Sequence, residues 1–275
     1  VITFSERMNQ SATQSAYQSA STGIRPADVT MSWNAEGTVL TINPVADLSY
    51  ATGSSTSVVA LVYAYTVTNT ATDIAGNALS SINVAFRTMR QISQDLPGIP
   101  DLSGTVSADG SAAGAACWFF ITLICPGDTT TNAQLKGFLS FDMTGVPAGA
   151  QVTVANLRVF QWQVVATPYG GALGGGLRAE HVNFATMNLA AFNLVPLSTI
   201  GVVSNDADPE EYKTISVLAA VQNDYANRAA RGNRSQFRLQ FPNASDFDGV
   251  ADFTAILPDL GEDGGSKLAV TYLIP

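Results

Sequence analysis

Polar and apolar residues alternate along much of this chain with a period of two, the spacing of strands half-buried in a sheet. Gly137 to Met143 sets Phe138, Ser140 and Asp142 against Leu139, Phe141 and Met143, and Val152 to Val165 reads as a longer strand. The Gly- and Pro-containing turn Thr144 to Ala150 separates them. Two long strands of this kind need a second sheet to bury their apolar faces, which predicts a β-sandwich rather than an α/β unit. Further on, Pro168 to Gly176 reads as a Gly-rich hairpin, Phe237, Leu239 and Phe241 share one strand face, and Leu268, Val270 and Tyr272 share another. Val217, Val221 and Tyr225 recur at helical spacing and predict one short helix.

The first 90 residues carry the same pattern in shorter runs. Asp28 to Pro44 reads as two strands around Asn34 to Gly37, Ser54 to Asn69 as a β-branched and aromatic strand region, and Ser81 to Met89 as a closing strand. Between the last two, Gly76 can take positive φ, and Asp73 and Asn77 can bond their own backbone, which makes a tight turn. Pro97, Gly98 and Pro100 then break regular structure and predict an extended linker. The expected division is a first domain over 1–90, a linker over 91–104 and a larger domain over 105–275.

Ile2 to Asn9 (ITFSERMN), Trp33 to Pro44 (WNAEGTVLTINP), Tyr65 to Val67, Asp73 to Asn77 (DIAGN) and the final Ala85 to Thr88 follow one another in an order that resembles a bacterial Ig-like domain of surface-layer and surface-anchored proteins. Such domains usually begin with one more strand than this chain carries. The resemblance therefore implies an Ig-like sandwich lacking its first strand, with an open edge above an apolar groove that a strand from another chain could fill. In the second domain Gly137 to Asp142, Val146 to Ala150, Ala155 to Val159, Phe237 to Leu239 and Leu268 to Tyr272 resemble secreted DNRLRE-type modules. Those are jelly-roll-like sandwiches similar in shape to carbohydrate-binding modules. The whole is then an all-β chain: an incomplete Ig-like sandwich followed by a larger jelly-roll-like one.

Composition narrows the function. Charged residues make up only 13% of the chain and short polar residues are abundant, a pattern common in secreted bacterial β-proteins. A net charge of −9 repels a phosphate backbone, so nucleic acid is not an expected partner. No apolar run approaches the roughly 20 residues that span a bilayer, so membrane insertion is not expected either. The expected location is the cell surface or the extracellular space.

Chemistry-bearing groups are few. Cys117 and Cys125 would lie about 26 Å apart on a straight strand, but a chain reversal between them would allow a disulfide, which suits an oxidising compartment. His181 is the only histidine, and its strand neighbour Glu180 should point to the opposite face, so no acid/base pair is expected. Two acidic segments, Asn205 to Glu211 and Ser245 to Asp252, offer oxygen ligands; in the second, Asp246, Asp248 and Asp252 around Gly249 are expected Ca²⁺ ligands, without EF-hand spacing. No other cofactor is expected. Trp118, Phe119, Phe120, Ile121, Leu123 and Ile124 form a segment too apolar for solvent, and with Ile2 and Phe4 they are the expected self-association residues.

These features predict a non-catalytic extracellular structural protein whose partners are copies of itself, assembled into a surface filament or layer by strand complementation. The alternative is a glycan-binding or adhesin module that meets an extracellular polysaccharide.

Overall fold

The computed structural model describes residues 1–110, 123–171, 173–259 and 265–275. With 44% of residues in strands and 10% helical, the chain is an all-β sandwich protein. It separates into two compact units, one of Val1–Ile92 with Ile274–Pro275 and one of Ser93–Leu273.

The first unit contains β1 (Ile2–Thr3), α1 (Gln10–Ser15), β2 (Tyr17–Gln18), β3 (Val29–Trp33), β4 (Val39–Pro44), β5 (Ala51–Gly53), β6 (Val62–Val67), β7 (Ile82–Arg87) and the start of β8 (Arg90–Leu96). Two three-stranded sheets, β1-β4-β3 and β2-β6-β7, face each other. The β3–β4 hairpin forms because Asn34 Oδ1 accepts the amides of Thr38 and Val39 (both 2.8 Å) and Gly37 takes φ 72°. The Asp73 turn forms as its residues predict: Asp73 Oδ1 accepts the Asn77 amide (2.8 Å), and Oδ2 accepts Asn77 Nδ2 (2.6 Å). That hydrogen bond holds the Asp73 carboxyl below the usual carboxylate range. Ile2, Phe4, Met8, Tyr17, Leu40 and Val67 make the core.

The second unit contains the rest of β8, then β9 (Gly104–Ser107), β10 (Gly127–Asp128), β11 (Gln134–Asp142), β12 (Gln151–Val165), β13 (Leu177–Val182), α2 (Leu189–Phe192), β14 (Ser198–Ser204), β15 (Glu211–Ser216), α3 (Leu218–Ala226), β16 (Arg234–Gln240), β17 (Phe253–Leu257) and β18 (Lys267–Ile274). The long strands β11 and β12 do not pair with each other. β11 lies between β16 and β9, and β12 contacts β15, β17 and β18. Each therefore anchors its own group of strands, and the short pair β10–β17 joins the two groups. The predicted helix is α3.

Two expectations change. Residues 91–104 are not a free linker: β8 continues to Leu96, Pro100–Leu102 is a 3₁₀ turn, and Pro97 to Ile99 run along β11, with Asp142 N donating to Pro97 O and Ile99 N to Ser140 O (both 2.8 Å). Proline at a strand end or at the start of a 3₁₀ turn lacks only an amide that needs no partner there. Pro168 to Gly176 is not a hairpin, because β12 and β13, which it connects, are not neighbours.

Candidate functional site

The first unit has an opening that its strand register explains. Against β4, β1 pairs only Ile2 with Leu40 and Thr3 with Val39, whereas β3 covers β4 from Leu40 to Pro44. Among the described residues no strand lies beside Thr41 to Pro44 on the side away from β3. The opposite sheet ends on β7, which pairs with β6 alone. Both strands carry alternating apolar residues, so Ile42 and Pro44 from one sheet and Tyr65, Val84 and Phe86 from the other line a groove of about 240 Å³, with Tyr17, Ile24 and Val1. Tyr17 and Tyr65 rings lie 5.5 Å apart, and Tyr17 Oη donates to Ile24 O (2.6 Å). Burial raises both phenols above the usual tyrosine range, as expected for an apolar lining.

Ile2 and Phe4, expected as contact residues, belong instead to this unit's own core, at 7% and 8% exposed. Their alternation is that of a strand already paired, and Phe4 stacks on Trp33 (5.7 Å). Ile42, Tyr65, Val84 and Phe86 are the groove residues that alternation alone did not single out. Cys117, Trp118, Phe119, Phe120 and Ile121 lie outside the described residues. Leu123 and Ile124 are fully buried in their own unit: Leu123 packs with Phe253 and Ala255, and Ile124 exchanges two backbone bonds with Ile256 (2.9 and 2.8 Å). The expected pairing of Cys125 with Cys117 lies in part outside the described residues; Cys125 itself is buried and is not a free thiol, and its amide donates to Thr105 Oγ1 (2.9 Å).

In the second unit, Glu180 and His181 face apart, as their adjacency on β13 requires. His181 Nε2 donates to Asp224 Oδ1 (2.8 Å), the oxygen that also takes Arg231 Nη1, and Ser235 Oγ donates to Asp224 Oδ2 (2.6 Å). The serine is thus bonded to the carboxylate rather than to the imidazole. A serine nucleophile needs its base alongside and an approach for substrate, and Ser235, His181 and Asp224 are all buried. On the other face Arg238 binds Glu180 (2.8 Å from Nε) and donates through Nη1 to Phe192 O and Leu194 O at the end of α2.

Lys136 Nζ reaches the same Phe192 carbonyl (3.1 Å) and lies over the Phe192 ring. Burial and then the Arg238 guanidinium lower its pKa to about 8, against an opposing pull from Glu180. Lys213 is the opposite case: burial pulls it down, but bonds to Asp206 and Glu211 raise it above the ordinary lysine value. Acetic anhydride at pH 8 is therefore expected to label Lys136 well ahead of Lys213, measured by peptide mass mapping; equal labelling would contradict the assignment. Because the folded value lies below 10.5, the unfolded chain holds more protons between pH 8 and 10.5, and this group's contribution to stability rises with pH across that window.

The two acidic segments also part company. Asp206, Asp208 and Glu211 are exposed, and Lys213 Nζ already sits on Asp206 and Glu211. Asp246, Asp248 and Asp252 bring carboxylate oxygens within 4.8 Å of one another, with Asp252 buried. Among the described residues no Lys or Arg forms an ion pair with any of these three. No helix is long and apolar enough to cross a membrane. No protein-family model matches the chain, and no curated protein is similar enough to it in sequence to be matched.

Proposed function

We propose that this chain is a non-catalytic extracellular structural protein that assembles with copies of itself into a surface filament or layer, a strand from a neighbouring copy completing the first unit. The reading includes the likeness of that unit to an incomplete Ig-like domain and of the larger one to a jelly-roll-like module. The observation that carries it is the stretch Thr41 to Pro44, without a strand partner on one side among the described residues and bordering a groove lined by Ile42, Tyr65, Val84 and Phe86. An incoming strand would bond the Ile42 amide and carbonyl and the Pro44 carbonyl, which face away from β3, and place alternate apolar side chains in the groove. Each 100 Å² of apolar surface covered contributes about 2.5 kcal/mol before the loss of freedom on association is subtracted. The sparse charge of the chain suits close packing of many copies, and the His181 cluster, sealed and self-satisfied, supports a scaffold rather than a catalyst.

The test is electron microscopy and sedimentation of the purified chain and of the variants Ile42→Lys and Phe86→Lys, which place a charge in the groove. Ordered polymers from the parent and monomers with unchanged circular dichroism from both variants are expected. A parent that stays monomeric at high concentration and binds a polysaccharide would replace this reading by the glycan-binding one.

A further inference from the structure

We propose that Asp246, Asp248 and Asp252 form a Ca²⁺ site at the β10–β17 junction of the second unit, with the buried Asp128 carboxylate of β10 bonded to Asp252 beside it. The three loop carboxylates alone would be an ordinary acidic cluster. Asp128 supplies the independent observation. It is fully buried, its Oδ1 accepts the Asp252 amide (3.0 Å), and its Oδ2 has no hydrogen-bond partner among the described residues. A buried carboxylate oxygen without a donor is unfavourable unless a cation meets it.

The surrounding bonds hold the cluster together without neutralising it. Asp128 N donates to Asp252 O (2.8 Å), and Thr167 N donates to Asp252 Oδ1 (2.5 Å), leaving the other Asp252 oxygen for a ligand. Asn132 Oδ1 accepts Gly249 N (3.1 Å) and Ser245 Oγ (3.3 Å), which ties the 245–249 loop to the β10–β11 turn. No Lys or Arg among the described residues forms an ion pair with any of the four carboxylates.

Several carboxylates in irregular loop geometry, completed by carbonyls and water, suit Ca²⁺, which accepts six to eight oxygens at variable angles. Mg²⁺ demands a tight octahedron and sheds its water reluctantly. The proposal is independent of the assembly reading, since these residues belong to the second unit and the groove belongs to the first.

Calorimetric titration of the metal-stripped chain with CaCl₂ is expected to show one ion per chain with Kd of roughly 10⁻⁵ to 10⁻³ M. The unfolding midpoint should rise by about 2–6 °C at saturating Ca²⁺, with Mg²⁺ at least about tenfold weaker. Asp248→Asn, at an exposed position, should weaken binding by tenfold or more, and Asp128→Asn should remove the Ca²⁺-dependent midpoint shift while the chain still folds. Asp208→Asn, in the other acidic segment, should leave the titration unchanged. No heat and no midpoint shift up to about 10 mM Ca²⁺, or binding undiminished in both Asp248→Asn and Asp128→Asn, would overturn the proposal.

Discussion

Asp224→Ala is expected to destabilise the larger unit by about 3–5 kcal/mol, the range for breaking a buried ion pair by removing one partner. Three groups converge on that carboxylate: Arg231 and His181 on Oδ1, and Ser235 on Oδ2. Asp224 is 1% exposed and His181 2%, so water cannot replace the lost acceptor without opening the space between α3, β13 and β16. Asp224→Asn should cost less, because its amide oxygen can still accept two of the three bonds. Urea unfolding followed by near-ultraviolet circular dichroism would rank the two. An alanine variant within about 1 kcal/mol of the parent would mean that the cluster contributes little to stability.

Gly127→Ala is expected to be as damaging for a different reason. An added Cβ would stand 2.0 Å from Asp252 O and 2.6 Å from Phe253 Cα, both backbone atoms that cannot rotate away. Gly127 also has φ 152°, a conformation that L side chains rarely adopt. Backbone strain and overpacking together amount to about 4 kcal/mol. Gly76→Ala gives the comparison: φ is 92°, but nothing lies within 4 Å of its Cβ, so only the strain of about 1–2 kcal/mol should appear. Hydrogen exchange should localise the Gly127→Ala effect to β10 and β17. Equal losses from both substitutions would show that close approach at Gly127 is unimportant.

What was legible in the sequence is what is local. Asn34 to Gly37 and Asp73 to Asn77 carry their turn chemistry within four residues, and the spacing from Val217 to Tyr225 finds α3. α1 escaped because its signal is one residue: Asn9 Oδ1 accepts Ala12 N (3.1 Å), and the six residues that follow show no apolar stripe. β16 was legible on one face only. Phe237 and Leu239 alternate as core, yet Gln236 and Arg238 are buried too, because Arg238 reaches Glu180 and the end of α2, partners more than forty residues away in sequence. The acidic loop was visible as Asp246, Asp248 and Asp252, whereas Asp128 arrives from a strand 124 residues away from Asp252. The groove needed both sheets: Ile42 and Phe86 each look like ordinary strand residues until β4 and β7 face each other.

The path of Pro97 to Ile99 along β11 has its own consequence. With β9 it lines that flank of β11 from Leu135 to Asp142, and two of the residues laid along or just past it, Pro97 and Pro100, possess no amide hydrogen. The amide that points outward there is that of Gly98, and it already donates to Asp259 Oδ2 (2.9 Å), so a foreign ribbon would find that donor taken and the larger unit is blunted against sideways growth on that flank. Stickiness is thereby confined by one carboxylate, and Asp259→Ala, which would bare the Gly98 amide, is the place to look for unwanted clumping.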